Sequence, residues 1–187
     1  MFPLSIFPLP GEMVPLHIFE PRYKQLLADA ETKDIFFGIF FNHISNTEKI
    51  GSLVKLESVI KRYPQGESDI IVKCMDLFSM NKLYRTFLDK PYPGGEVNFW
   101  NIDLSLPVSA RLQNAFKEYL LYFKIRHSDG GASLFSVANE INLDFEERLR
   151  FVKTNNEQKE NFLLSHLRYQ TQLLYQAEKA KDVFHLN

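Results

Sequence analysis

The stretch FPLSIFPLPGEMVPLHIFEPRY, residues 2–23, decides how this chain begins to fold. Prolines are spread through its first two thirds, and they exclude a continuous helix there because proline breaks helices. Residues 2–7 instead predict a strand with Pro3 near its start, where a missing N–H is tolerated, and residues 9–12 predict a turn. Pro21 then marks the first turn of a short helix whose apolar residues recur at i, i+3 and i+4.

The composition is that of an ordinary globular protein. The 187 residues are 45% hydrophobic and 24% charged, which is far from the composition of disordered chains. A chain of this length forms either one domain or two small subdomains. Aromatic residues reach 14%, with 17 phenylalanines, so either the core is rich in rings or some rings form a recognition surface.

Charge and cysteine content limit the partners and the compartment. The net charge is −1, and no cluster of basic residues is present to bind a phosphate backbone, so we do not expect nucleic acid as a partner. Cys74 is the single cysteine, which is typical of a reducing compartment, and we expect a cytoplasmic protein. The longest strongly apolar run, residues 35–41, is far shorter than the roughly 20 residues of a membrane span. We therefore expect no membrane segment, and the early prolines also argue against a secretory signal.

Up to about Pro107 the pattern favours short strands. Residues 35–41 are apolar on both alternating faces, which predicts a strand covered on both sides. Val54, Leu56 and Ile60 are expected on one face of the next strand. Further predicted features are a hairpin turn at 64–66, a strand over 69–78, a turn over 91–95 and a last strand over 97–104 that contains Trp100.

After Pro107 the apolar period becomes that of helices. The spacing predicts helices over residues 112–123, 134–141 and 157–184, with a loop at 127–131 after the first. Asp144 and Glu147 form a capping-box pattern that opens a further helix between the last two. At 1.5 Å per residue the last helix extends roughly 40 Å.

The change of period predicts an α+β protein in two parts. Residues 1–107 are expected to form a β-rich subdomain. Residues 108–187 are expected to form an α-helical subdomain that ends in a long C-terminal helix.

Sequence motifs of common catalytic sites are absent. Neither GxxxxGK[ST] nor GxGxxG occurs, the five histidines are scattered, and no GxSxG nucleophile elbow is present. Cys74 follows apolar residues in a predicted strand, so we interpret it as a buried structural thiol. Glu20 precedes Pro21, so we interpret it as a helix cap rather than an acid–base catalyst. We therefore predict no catalytic residue, no metal ion and no cofactor.

Residues 14–23, VPLHIFEPRY, resemble the signature of the Lon protease N-terminal domain, also called the LON substrate-binding domain. The signature residues to which we assign a structural role are Pro15, His17, Phe19, Glu20, Pro21, Arg22 and Tyr23. The resemblance continues more weakly over nearly the whole chain. It departs at residues 73–78, KCMDLF, where the family usually carries a glycine before an Arg-Phe pair.

The resemblance implies both a fold and a function. The implied fold is a PUA-like β-barrel subdomain of six strands with an inserted helix, followed by a helical bundle. A full Lon protease continues into ATPase and protease modules, whereas this chain stops at Asn187, so it resembles a free-standing LON-domain protein with neither activity. The implied role is to bind unfolded or apolar polypeptide segments, or a protein partner, in connection with ATP-dependent proteolysis by a separate ATPase or protease.

Three aromatic residues near predicted turns and strand ends are candidates for peptide binding. They are Trp100, Tyr92 and Tyr63, whose rings can be both supported and accessible, although each suits a subdomain interface equally well. An RNA-binding module is the alternative function, because the PUA-like fold is shared with such modules. A small hydrolase is a third alternative with no support in the residues, and self-association is left open.

Overall fold

The computed structural model describes residues 1–125 and 132–184, with side chains described as far as residue 177. The predicted loop at 127–131 and His185 lie outside the described residues. The chain divides into two compact units, Met1–Leu104 and Ser105–Asn187, where the sequence pattern predicted a division at Pro107.

The first unit contains the six strands β1 (Phe2–Leu4), β2 (Met13–Ile18), β3 (Phe37–Phe41), β4 (Ile50–Arg62), β5 (Ser68–Tyr84) and β6 (Gly94–Phe99), with the helix α1 (Pro21–Lys33) between β2 and β3. The second unit contains α2 (Ala110–Tyr122), α3 (Leu134–Glu140), α4 (Phe145–Lys153) and α5 (Asn156–Phe184). The predicted α+β class is therefore confirmed.

β5 organises the sheet of the first unit. The hydrogen-bonded order is β1-β3-β4-β5-β2, and β6 also pairs with β5. β4 pairs with one edge of β5. Two strands pair with the other edge, β2 along residues 68–73 and β6 along residues 78–84. β1 and β3 run parallel and the other ladders are antiparallel. The result is a mixed sheet in which β2 and β6 follow one another along β5.

Three bulges change which side chains face the core. The β4–β5 ladder is interrupted by the extra residues Met75, Glu57 and Ile60. Because a bulge shifts the alternation of faces by one residue, Val59 rather than Ile60 lies opposite the buried Ile70. The prediction that Ile60 shares a face with Val54 is therefore wrong, and Ile60 is exposed. Met75 lies within residues 73–78, so a bulge forms there without the family's glycine.

Two strands differ from their predicted extent or cover. In β3 one face is buried, while Gly38 and Phe40 on the other face are only half-buried, so the predicted full cover on both sides is wrong. β6 ends at Phe99 because Asn101 takes a positive φ of 53° and turns the chain. The Asn101 N–H then donates to the Asp76 carboxylate at 2.9 Å. The predicted strand over 97–104 therefore stops before Trp100.

Side-chain caps begin the helices of the second unit. The predicted capping box of α4 is confirmed, since the Glu147 N–H donates to Asp144 Oδ1 at 2.9 Å and the Asp144 N–H donates to Glu147 Oε2 at 2.8 Å. In α5, Leu163 and Leu167 are buried, whereas Leu173 is exposed. Among the helices of the described ranges, we find none with the length and apolar content of a membrane span.

Candidate functional site

The sheet of the first unit has two faces of different character. The core face carries fully buried side chains such as Ile39, Val54 and Leu77. The opposite face, which we call the open face, carries Gly38, Gly51, Leu53, Phe78, Val97 and Phe99, aligned by the ladders of β3, β4, β5 and β6. The open face is apolar but only partly covered.

Phe78 forms the floor of a pocket on the open face, and two glycines make room for its ring. A Cβ atom on Gly51 would lie 2.3 Å from Phe78 Cζ and 2.7 Å from the Ile39 carbonyl oxygen. A Cβ atom on Gly38 would lie 3.0 Å from the same ring. Such distances are shorter than van der Waals contact, so glycine at both positions lets the ring lie against the backbone of β3 and β4.

A loop between β5 and β6, residues 85–93, forms one wall of the pocket. The Phe87 ring lies against Gly94, where a Cβ atom would meet Phe87 Cδ2 at 2.3 Å. The Met1 amino group donates to the Pro93 carbonyl oxygen at 2.6 Å, and burial lowers the pKa of this amine from 8.0 to about 5. A neutral amine therefore links the start of β1 to the residue before β6 at neutral pH.

Asp29 on α1 fixes the same loop. The Tyr92 hydroxyl donates to Asp29 Oδ2 at 2.7 Å, and Lys90 Nζ lies 3.1 Å from the same oxygen. Lys33 Nζ lies 3.3 Å from Oδ1. The hydrogen bonds from Tyr92 and Lys90 lower the pKa of Asp29 from 3.8 to about 2, while burial and the Asp29 carboxylate raise the pKa of Tyr92 to about 12. Asp29 is therefore an ionised carboxylate that joins the pocket wall to α1.

Together these elements enclose a pocket of about 200 Å³. Three half-exposed rings line it, with Phe36, Phe87 and Phe99 exposed by 47%, 45% and 48%. Leu88 follows at the tip of the wall loop, 84% exposed and with φ of 54°. A leucine in the left-handed region is uncommon and strained, and such positions cluster at functional sites. The pocket is therefore an apolar, aromatic-rimmed cavity suited to apolar side chains.

Residues 1–177 match the family described as the ATP-dependent protease La (LON) substrate-binding domain. This chain belongs to that family. A Lon N-terminal domain protein from Xanthomonas campestris has a similar solved structure, with a TM-score of 0.66 at 19% identity over 88% of this chain and 95% of the other. The N-terminal domain of the Mycobacterium avium complex Lon protease has a TM-score of 0.59 at 14% identity, over 90% of this chain and 96% of its own length.

These two likenesses show the fold alone, because both identities are low. No curated protein sequence matches this chain. Because the matching family is the substrate-binding domain of LON proteases, membership of it supports a substrate-binding role.

The LON domain does not bring the three predicted peptide-binding residues together. Tyr92 lines the pocket but is only 6% exposed, so it supports the wall instead of offering an accessible ring. Trp100 follows Phe99, and its Nε1–H donates to Ser79 Oγ at 2.9 Å. Since successive residues alternate between the faces of a strand, Trp100 is directed away from the open face.

Tyr63 lies at the other end of β5, beside the β4–β5 turn. Its hydroxyl donates to Asp69 Oδ2 at 2.7 Å, and about ten residues of β5, roughly 30 Å, separate that turn from the neighbours of Trp100. Tyr63 therefore belongs to a different part of the LON domain from the pocket.

Sequence reasoning missed the rim residues Phe36, Phe87 and Phe99. Their identity as phenylalanines could not distinguish them from the buried members of the same residue type. The alternation within 35–41 placed Phe36 and Phe37 on opposite faces of the strand, but only the burial of side chains in the folded sheet shows which of the two faces is open.

The signature residues of the LON family make structural contacts around β2 and α1. His17 Nδ1 lies 2.6 Å from Asp69 Oδ1, and its Nε2 lies 3.7 Å from Glu67. Glu20 occupies the N-cap position of α1, but its carboxylate makes no cap hydrogen bond. It pairs with Arg22 instead, at 2.8 Å. The predicted side-chain cap is therefore wrong, because the cation two residues later binds the carboxylate.

Two kinds of reactive group, metal-ligand clusters and the cysteine thiol, can be assessed in the described residues. Residues 1–125 and 132–177 contain no group of three or more His, Cys, Asp or Glu side chains that could hold a metal ion. Cys74 is fully buried, as predicted. Burial raises its pKa to about 12, so its reactive thiolate is not populated near neutral pH.

Proposed function

We propose that this LON domain binds polypeptide segments by holding their large apolar side chains in the pocket above Phe78. The observation that carries the proposal is the apolar cavity with its three half-exposed rings, Phe36, Phe87 and Phe99. Aromatic side chains supply large contact areas at little entropic cost, which suits them to anchor an unfolded segment. The family's substrate-binding role supports the proposal.

The proposed role is non-catalytic. The pocket is lined by apolar side chains and glycine backbone, and two polar groups of its lining residues, the Met1 amine and the Tyr92 hydroxyl, donate hydrogen bonds to Pro93 and Asp29. Apolar residues exposed by unfolding are the proposed ligands, and a separate ATPase or protease is the proposed recipient of the bound segment. We propose the cytoplasm as the place of action, in keeping with the single cysteine.

Fluorescence anisotropy with a labelled, unstructured peptide containing spaced Phe and Leu tests this function. Phe99→Ser is expected to weaken binding about 10-fold, because it removes a large apolar contact. Phe19→Ser is the matched control, since Phe19 is 58% exposed but lies beside His17, outside the pocket. Equal affinity of the wild type and Phe99→Ser, or an equal loss in both variants, would exclude the pocket as the binding site.

An unstructured RNA serves as a second probe in the same assay. RNA binding that falls steeply with added salt would favour the RNA-binding alternative instead.

A further inference from the structure

β6 has a free edge. Within residues 1–125 and 132–184, β6 pairs with β5 and with no other strand. Glu96, Asn98 and Phe99 are exposed, so the strand is accessible. An unpaired strand edge is a template for pairing with another extended chain.

The hydrogen-bond alternation identifies which residues face this edge. The Trp100 N–H donates to the Leu77 carbonyl oxygen at 3.0 Å. In an antiparallel ladder every second residue pairs inward, and Phe99 lies opposite Phe78 while Val97 lies opposite Met80. Val97 and Phe99 therefore direct their N–H and C=O groups outward, away from β5. On this outward side the Phe99 carbonyl oxygen accepts one long hydrogen bond, 3.5 Å, from Asn101 Nδ2, and a carbonyl oxygen has a second lone pair for another donor.

The same two residues line the pocket with their side chains. A chain that paired with β6 would place every second side chain on the open face, because residues opposite one another in a ladder share a face. Backbone hydrogen-bonding capacity and an apolar pocket thus occur side by side on one strand. This combination matches an extended polypeptide, in which the backbone supplies affinity and alternate side chains supply specificity.

The other edge strand along β5 lacks this capacity. The Cys74 N–H donates to the Glu12 carbonyl oxygen at 2.9 Å, so by the same alternation Met13, Pro15 and His17 face outward from β2. Proline has no N–H, and proline at an outward position is a known means of blocking an edge strand. β6 carries no proline.

We propose that the substrate polypeptide docks as an added β-strand on β6, with its backbone bonded to Val97 and Phe99 and one alternate side chain in the pocket. This inference rests on the proposed function and specifies the substrate as an extended segment with large apolar residues at every second position. A compact or helical segment with the same residues cannot make these backbone bonds.

The test uses a nine-residue peptide that alternates Phe or Val with Ser or Lys, and two versions in which alternate sets of backbone amides are N-methylated. Methylation of the set that faces β6 should weaken binding about 10-fold or more, since it removes interstrand hydrogen bonds. Methylation of the other set should change the affinity less than about 3-fold. Similar effects of the two sets would overturn the proposal.

A protein variant tests the same hydrogen bonds between the peptide backbone and β6 by removing a donor from the protein. Val97→Pro removes an outward N–H without removing a β5 ladder bond, and Val97→Ala is its matched control. We expect only Val97→Pro to lose the amide-dependent affinity, with its fold checked by circular dichroism. Should Val97→Pro fail to fold, hydrogen exchange of the Val97 and Phe99 amides in the wild type replaces it as the test. Exchange that slows when the peptide is added supports strand addition, and unchanged exchange overturns it.

The outcomes separate this inference from the proposed function. If Phe99→Ser weakens binding but neither methylated set does so selectively, the pocket binds side chains and strand addition is wrong. If Phe99→Ser has no effect, the proposed function itself fails. If Val97 and Phe99 are already protected in a peptide-free dimer, the edge is occupied by a second copy, which also overturns the proposal.

Discussion

The two strands that share one edge of β5 differ in what they contribute. β2 and the start of α1 carry the family signature, and His17, Glu20 and Arg22 use their side chains for local ion pairs and hydrogen bonds. β6 and the loop before it carry no signature residue, yet they form the rim and wall of the pocket. The part of the chain that reveals the family is thus separate from the part suited to bind a substrate.

Substitutions in the pocket floor should have the largest effect on stability. Gly51→Ala is expected to lower the free energy of unfolding by about 3 kcal/mol, because the new methyl group overlaps the Phe78 ring and the Ile39 carbonyl. Gly38→Ala, with its nearest contact at 3.0 Å, should cost about 1 kcal/mol. Urea unfolding measures both, and a Gly51→Ala protein as stable as the wild type would show that the floor is not closely packed.

The link between α1 and the pocket wall should depend on pH. Asp29→Asn is expected to lower the unfolding temperature at pH 7, since two ammonium groups and the Tyr92 hydroxyl lose a charged acceptor. The pKa of Asp29 falls from 3.8 to about 2 on folding, so its contribution is fully present above pH 4 and is lost as the pH falls through 2. The difference between wild type and variant should therefore shrink between pH 4 and 2. A constant difference over that range would contradict this role of the charge.

Removal of a single bond in that link should have a smaller effect. Tyr92→Phe deletes the hydroxyl that donates to Asp29 and should cost about 1.5 kcal/mol of stability. Peptide affinity should fall with it, because the wall loop is less firmly held. Tyr63→Phe is the matched control, since it also removes a hydroxyl bonded to an aspartate but lies outside the pocket. Equal losses of peptide affinity in both variants would argue against a positioning role for Tyr92.

Replacing the proline on the outer edge of β2 should change the self-association of the protein more than its stability. Pro15→Val supplies an outward N–H on β2 and should change the free energy of unfolding by no more than about 0.5 kcal/mol. It should also promote self-association, because the edge then offers an uninterrupted row of backbone groups. Sedimentation velocity over a range of concentrations measures this effect. A Pro15→Val protein that sediments as the wild type does would show that β2 is closed by something other than its proline.

Local sequence signals were sufficient for much of the fold. Turns at 9–12 and 64–66 follow from proline and glycine, and Gly11 and Gly66, which take positive φ, lie in these turns. The capping box at Asp144 follows from side chains three residues apart. Such features depend on neighbours in the chain, so the sequence alone can predict them.

The pocket depends on contacts that are distant in sequence. Phe78 fits because Gly38 and Gly51 lie on two other strands, and Tyr92 is buried because Asp29 lies across from it on α1. The bulge that exposes Ile60 depends on the β4–β5 register. Patterns within single strands therefore favoured Trp100 as a candidate, whereas its neighbour Phe99 lines the pocket, because a shift of one residue reverses the face of a strand.

Trp100, although it is directed away from the pocket, has a practical consequence for experiments. It is the only tryptophan in the sequence, it adjoins the last residue of β6, and its indole is held by Ser79. Its intrinsic fluorescence therefore reports on β6 from a single defined position. If a peptide adds to β6 as proposed, we expect its emission to change in the unlabelled wild-type protein, with no dye attached to either partner.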